Sequence, residues 1–228
     1  MKKAKKKKAS YKKTQQKRKA QKNLRQKRRQ PQKNKSVLAQ SAIRSSSISL
    51  SNTQIKQSAS HPLYEILLSD NWKQNGLAYI WLARRTPLAF IVGIYLVDIK
   101  CLGLKSTFVE VCRTEEEYTT FKTATQESLA SSFTFKKCSY DLANSIIYGG
   151  IAYAQQFDFQ PHKDFQLSQY VVGEKLASLR HIRFGEKDGK PLFINGPDDD
   201  VALVLEKLTK AAGKDGFQFM LQTPPEEG

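Results

Sequence analysis

Residues 77–111, LAYIWLARRTPLAFIVGIYLVDIKCLGLKSTFVEV, contain three apolar runs of strand length. The runs are rich in β-branched and aromatic residues, which favour strands, and they cover residues 77–84, 88–99 and 103–111. Pro87 interrupts the first pair of runs because proline has no N–H to donate, and residues 100–102 separate the second pair. Connections this short join antiparallel neighbours, so the sequence predicts a three-stranded antiparallel meander.

Two helices are predicted after this meander. Residues 115–128 are polar and follow Thr114, a favourable N-cap. Residues 140–157 follow Ser139 as N-cap, and small or apolar side chains recur there at helical spacing: Ala143, Ile146, Ile147, Gly150, Ile151 and Ala154. Each Gly in a helix costs about 1 kcal/mol relative to Ala. We therefore expect another part of the chain to approach the helix closely at Gly149 and Gly150.

The remaining predicted elements are shorter. Residues 63–69 carry Leu63, Ile66 and Leu67 at i, i+3 and i+4, which predicts one or two helical turns. The others are a short helix opened by residues 161–165 and ending at Val172, a hairpin over 181–194, a helix over 201–212 and a strand over 217–222. This order predicts an α+β fold, with a largely antiparallel sheet packed by helices.

Charge divides the chain of 228 residues into two parts. Lys and Arg number 38 against 21 Asp and Glu, and 20 of these bases precede Glu65, the first acid. Residues 1–64 therefore carry +20 and residues 65–228 carry −3. We predict a basic disordered arm (residues 1–35), a Ser-rich linker (36–61), an α+β domain (62–223) and a tail (224–228).

The arm predicts a polyanionic partner. It holds 18 Lys and Arg and no acid, so it repels itself and has little apolar surface to bury. Nucleic acid offers closely spaced phosphates, whose neutralisation releases counterions. No side-chain pattern suggests base reading, which favours backbone and shape recognition of RNA, and the ribosome is one such partner. The predicted phosphate-binding residues are Lys5, Lys6, Lys7, Lys8, Lys12, Lys13, Lys17, Arg18, Lys19, Lys22, Arg25, Lys27, Arg28 and Arg29.

Three other interpretations of the basic segment stay open. It could be a solubilising tail on a protein–protein interaction module. It could lie on anionic lipid, although it lacks an apolar face. The Ser-rich, acid-free residues 36–60 also resemble an organelle transit segment in composition. We prefer the linker interpretation because serine runs are typical of flexible spacers.

Other features restrict the class of protein. The three cysteines, Cys101, Cys112 and Cys138, form no C-x-x-C pair, which fits a reducing, cytoplasmic compartment. The longest apolar runs fall well short of the roughly 18–20 residues that span a bilayer, so no membrane span is predicted. No secretory signal is predicted, because no apolar stretch follows the basic start. No cofactor motif is found.

Four segments carry a resemblance to a known family. They are YLVDIKCLGLK (residues 95–105), ANSIIYGGIAYA (143–154), PHKDF (161–165) and FGEKDGKP (184–191). In these segments the chain resembles a family of uncharacterised bacterial proteins. The resemblance implies a bacterial origin and a shared domain, and it implies no activity. The family usually has an acid where this chain has Ser106.

Polar residues in the domain offer one alternative function, a metal-dependent nuclease or other hydrolase. Its ligands would be Asp98, His162, Asp164 and one of residues 198–200, since hard divalent ions favour carboxylates and accept imidazole. The structural interpretation is preferred, because Asp164 and residues 198–200 stand where helices begin. We therefore assign no metal site.

Asp98 and Lys105 form the second candidate pair. Asp98 ends an apolar strand, where an unpartnered buried carboxylate would be costly, so we expect Lys105 to pair with it in a structural role rather than a catalytic one. Cys101 is expected to be a small core residue. The preferred function is a non-enzymatic, RNA-associated protein of the cytoplasm.

Overall fold

The computed structural model describes residues 52–222. The predicted arm, most of the predicted linker and the tail lie outside this range. The helices are α1 (Asn52–Lys56), a 3₁₀ turn (Gln57–Ser60), α2 (Trp72–Asn75), α3 (Glu115–Leu129), α4 (Tyr140–Gln155), α5 (Phe165–Val172) and α6 (Val201–Ala212). The strands are β1 (Leu63–Ser69), β2 (Leu77–Arg85), β3 (Phe90–Asp98), β4 (Gly103–Cys112), β5 (Phe135–Lys137), β6 (Leu192–Ile194) and β7 (Gln218–Met220).

A five-stranded antiparallel sheet organises the described chain. Its order is β4-β3-β2-β1-β5, and the predicted meander is confirmed as β2, β3 and β4. Together with the helices this makes an α+β fold, as predicted. The described helices include none with the length and apolar character needed to cross a membrane.

Strands β2 and β3 are buried on both faces. Trp81 and Tyr79 of β2 face α3 and the segment that follows it, where their rings contact Phe121 and Phe133. Alternate β2 residues, such as Ile80 and Leu82, pack on the opposite face with residues of α4 and α5. The continuous apolar sequence of β2 and β3 follows from this double cover, since a half-exposed strand would alternate apolar with polar.

A hydrogen-bonded network fixes α3 on the sheet. The Glu65 carboxylate accepts from the Tyr118 hydroxyl and from Lys122 Nζ, each at 2.6 Å. The Tyr118 oxygen accepts from Trp81 Nε1 at 3.1 Å. Thr114 caps the helix as predicted, its side chain accepting from the Glu117 N–H at 3.1 Å. A helix with few apolar residues is thereby anchored through polar groups.

The predicted apolar stripe of α4 is buried and its glycines make the expected close approach. A Cβ on Gly150 would lie 2.6 Å from Val97 Cγ1, and one on Gly149 would lie 2.6 Å from Phe184 Cζ. Gly103, with φ +65°, approaches from the sheet, where a Cβ would lie 2.6 Å from the Gly150 carbonyl oxygen. The glycines therefore let α4 lie directly against the β3–β4 turn.

Residues 173–191 contain no helix or strand and lie along α4. Two buried polar side chains of α4 hold this segment. Asn144 donates to the Glu174 carbonyl at 2.9 Å and accepts from the Leu176 N–H at 3.2 Å. The Ser145 hydroxyl oxygen accepts from the Arg180 N–H at 2.8 Å. These bonds explain why polar residues occur on the buried side of this helix.

Two predicted elements are wrong. Residues 63–69 form strand β1 rather than a helix, because pairing with β2 and β5 outweighs an i, i+3, i+4 pattern that is too short to decide. Residues 181–194 do not form a hairpin. Their last three residues are β6, which pairs in parallel with β7. The strand β5 was not predicted.

The packed part of the chain begins before His61. In α1 and the 3₁₀ turn, Ile55 and Ser58 are buried, and the Ser58 hydroxyl donates to the Tyr170 carbonyl at 3.0 Å. Residues 52–60, at the end of the predicted linker, thus pack against α5.

The close approach of Gly103 to helix α4 can be tested by substitution. Gly189 also has a positive φ, +80°, but a Cβ there would meet nothing within 4 Å. We expect Gly189→Ala to cost about 1–2 kcal/mol for the left-handed backbone alone. Gly103→Ala should cost about 1–3 kcal/mol more, because its methyl group would press on the Gly150 carbonyl. Urea unfolding of both variants measures the difference, and equal losses would contradict this packing.

The second prediction concerns Glu65. Burial works to raise the pKa of its carboxyl, but the bonds from Lys122 and Tyr118 outweigh burial and leave the pKa lowered. Such a group stabilises the fold above its unfolded pKa of about 4.3 and loses that contribution as pH falls through the folded value. We therefore expect the stability loss of Glu65→Gln to shrink as pH falls from 7 through this range.

Thermal or urea unfolding against pH measures this convergence. The matched control is Glu206→Gln, at an exposed position of α6, which should change the free energy of unfolding by less than about 0.5 kcal/mol at neutral pH. A Glu65→Gln deficit that is constant with pH would show that the ionised carboxylate does not anchor α3.

Candidate functional site

Asp98 lies at the end of β3, where it pairs with Leu77 on one side and Gly103 on the other. It is only 6% exposed. Its Oδ1 accepts from the N–H groups of Lys100 and Cys101 at 2.8 and 3.0 Å, and its Oδ2 accepts from the Leu102 N–H at 3.1 Å. The carboxylate thus holds the β3–β4 turn through three backbone donors.

Two opposing effects act on the Asp98 carboxyl. Burial raises its pKa, while the three N–H donors and the nearby charge of Lys105 work against that rise. Both carboxylate oxygens accept from backbone N–H groups, and these bonds favour the ionised form while they stabilise the turn. The geometry gives Asp98 a structural role.

The ion pair of Lys105 is with Asp199 rather than with Asp98. Its Nζ lies 2.7 Å from Asp199 Oδ2, and the same oxygen accepts from the Gly196 N–H at 2.7 Å. The predicted Lys105–Asp98 pair is therefore wrong, because the Lys105 amine binds the carboxylate of Asp199, which is more than ninety residues away in sequence. The structural role expected of Lys105 is retained with this other partner.

His162 and Asp164 lie at the start of α5. The His162 N–H donates to the Leu104 carbonyl of β4 at 3.0 Å, and its Nδ1 accepts from the Asp164 N–H at 3.3 Å. Nδ1 also lies 3.8 Å from Asp164 Oδ2. The two side chains are thus neighbours at the helix start, and the backbone N–H of His162 connects this start to the edge strand β4.

Two of the three aspartates at residues 198–200 have different structural roles. Asp200 is the N-cap of α6, where its carboxylate accepts from the Leu203 N–H at 3.1 Å, as the sequence predicts for a helix start. Asp199 binds Lys105. Within residues 52–222, no group of three His, Cys, Asp or Glu side chains is placed to hold a metal ion.

Cys101 is fully buried in a small cluster with Phe159, Phe193 and Leu208. Burial raises the pKa of its thiol, and the negative charge of Asp98 adds to the rise. A thiol held protonated in this way is a poor nucleophile. Its position matches the core role predicted from the sequence.

Arg84 is the buried charge that sequence reasoning missed. It is 6% exposed, and its guanidinium donates to the carbonyls of Val171, His61 and Val172 at 2.6, 2.7 and 3.4 Å. Burial lowers the pKa of this guanidinium. The signal was the strand alternation, which puts Arg84 on the core-facing side with Ile80 and Leu82.

An open groove of about 380 Å³ lies at the β2–β3 turn. Arg85 and Arg113 line it together with Leu88 and Glu115. The groove presents both signs of charge, so it does not by itself indicate a polyanion site. The predicted phosphate-binding residues, Lys5 to Arg29, lie outside the residues that the structure describes.

The third prediction tests the role of Asp98. In Asp98→Asn the amide cannot accept from all three N–H groups, because its nitrogen is a donor. We expect a loss of about 2–4 kcal/mol in the free energy of unfolding, measured in urea. Asp164→Asn, at a half-exposed carboxylate, is the control and should cost less than about 0.5 kcal/mol. Similar small losses in both variants would show that the carboxylate does not hold the turn.

No protein-family model matches the chain, and no match is found among the curated proteins or the solved structures. The resemblance to a bacterial family stays a prediction from its four segments.

Proposed function

We propose that this protein is a non-enzymatic, RNA-associated protein that binds nucleic-acid phosphates through its basic arm, residues 1–35. The observation that carries the proposal is the segregation of charge. All 21 acids lie at or after Glu65, whereas residues 1–64 hold 20 of the 38 bases. A uniform distribution would have indicated only a basic protein. Segregation indicates a segment specialised for a polyanion.

The binding energy would come mainly from counterion release. Each phosphate neutralised by Lys or Arg frees condensed cations, so affinity falls with salt, with a slope of about −0.7 per phosphate on single strands. RNA also cancels the repulsion among the arm's own charges. The arm lacks base-reading patterns, which favours RNA shape and backbone over sequence, and a ribosome presents such surfaces at high density.

The described domain would supply position rather than phosphate affinity. Residues 65–228 carry a net charge of −3, so their net charge does not attract RNA phosphates as the arm does. Two titratable side chains that could have indicated a catalytic site stabilise the fold instead. Asp98 accepts hydrogen bonds from the β3–β4 turn, and Lys105 forms an ion pair with Asp199. The three cysteines are free, which supports a reducing compartment such as the cytoplasm.

The fourth prediction tests the arm in the full-length chain. Replacing the fourteen predicted phosphate-binding residues, Lys5 to Arg29, by Gln keeps the length and removes fourteen of the arm's 18 basic side chains. We expect weaker RNA binding at every salt concentration and a much flatter dependence of affinity on salt, measured by fluorescence anisotropy with a labelled single strand. Unchanged affinity and slope would contradict the proposal and leave a solubilising tail.

A control removes four positive charges from the domain instead. Lys175, Lys187, Lys210 and Lys214 are exposed, and their replacement by Gln should leave the salt slope within about one of the native value. The same RNA, incubated with Mg²⁺ or Mn²⁺ and the native chain, is expected to stay intact on a denaturing gel. Cleavage would contradict the non-enzymatic part of the proposal and favour the nuclease hypothesis.

A further inference from the structure

Strand β7 and the residue after it form an exposed, apolar edge. Phe219, Met220 and Leu221 are 53%, 58% and 52% exposed. Residues 217–222 read FQFMLQ and contain no charge, Pro or Gly. Natural proteins protect edge strands with charges, prolines or bulges, because unpaired edges attract other strands. This edge has none of these protections within its own sequence.

The backbone direction of the edge follows from its hydrogen bonds. The Gln218 N–H donates to the Pro191 carbonyl at 2.8 Å, and the Gln222 N–H donates to Asn195 Oδ1 at 2.6 Å. Residues 218 and 222 therefore turn their backbone groups toward β6. Backbone groups alternate along a strand, so those of Phe219 and Leu221 point the opposite way. No strand pairs with β7 on that side within residues 52–222.

The same five residues are symmetric about Met220. They read Gln218, Phe219, Met220, Leu221 and Gln222, with an apolar residue and then a Gln on each side of the centre. In an antiparallel pair with an identical strand, a two-fold axis at Met220 places Phe219 opposite Leu221 and Gln218 opposite Gln222. The outward-pointing residues are then the ones that exchange N–H···O=C bonds with each other.

We propose that β7 pairs with β7 of a second copy of this chain, antiparallel and two-fold symmetric about Met220. Phe219 and the partner's Leu221 donate to and accept from each other, which gives four new backbone hydrogen bonds for the two symmetric pairs. Such an isologous contact satisfies both β7 edges at once. The uncharged sequence brings no like charges together across the axis.

The contact is small, which sets its strength. Three half-exposed side chains and one short strand edge cover less than the roughly 800 Å² per partner of a standard interface. The dimer is therefore weak and forms as the concentration rises. The inference does not depend on RNA binding, because it uses residues and contacts of the domain alone.

The fifth prediction is a concentration-dependent mass. Sedimentation equilibrium of the full-length chain, after nuclease treatment and at high salt to remove bridging RNA, should show a rise from 25.9 kDa toward twice that value. Met220→Lys places two ammonium groups across the axis and should weaken the dimer at least about tenfold. Leu88→Lys, at a 69% exposed residue of the β2–β3 turn, is the matched control and should dimerise like the native chain.

A charge exchange tests the register itself. Phe219→Lys alone puts a lysine opposite each partner's Leu221 and should weaken the dimer, whereas Phe219→Lys combined with Leu221→Glu pairs opposite charges across the axis and should restore it. Circular dichroism and thermal unfolding confirm that each variant is folded. A chain that stays at 25.9 kDa at every concentration, a dimer that persists in Met220→Lys, or a double variant weaker than the single one would overturn the proposal.

Another segment of the same chain is the competing occupant of this edge. If residues 1–51 covered β7, the full-length chain would be monomeric and removal of those residues would make it dimeric. That outcome would also overturn the proposal.

Discussion

The double burial of β2 and β3 is the constraint on which the described structure depends. Two antiparallel strands with apolar side chains on both faces need helices above and below them, and α3 on one side and α4 with α5 on the other supply this cover. An unpaired polar group within such strands is costly, and among the described residues the buried Tyr79 hydroxyl of β2 is one that lacks a hydrogen-bond partner. Charged residues consequently occur at the strand ends, where the backbone of a turn or a helix end can bind them.

Arg84 and Asp98 show how these ends are completed. They lie at opposite ends of the β2–β3 pair, and each is bound by backbone groups rather than by an opposite charge. The guanidinium binds carbonyls at the C-terminal end of α5, where the helix dipole is negative. The carboxylate binds N–H groups of a tight turn. Each buried charge therefore fixes the position of a neighbouring segment relative to the sheet.

Sequence alone predicted the elements whose pattern is long and local. The meander, α3, α4, α5 and α6 are confirmed because their signals repeat over many residues or are marked by caps such as Thr114 and Asp200. The failures involve partners distant in sequence. Strand β6 needs β7, Lys105 needs Asp199, and residues 63–69 become a strand only beside β2 and β5. Arg84 was missed because a charge at a strand end is usually solvated.

The attachment of the N-terminal segment also determines how the domain would carry a mechanical load. The chain reaches β1 after His61, whose carbonyl is bound by Arg84, and β1 lies between β2 and β5 with its ladders parallel to its own axis. Tension applied along β1 from its N-terminal end would act in shear on the ladder with β2, from Leu63 to Leu68, and on the shorter ladder with β5, from Leu67 to Ser69. A domain tethered through this end can therefore resist pulling forces that would unzip a terminal hairpin.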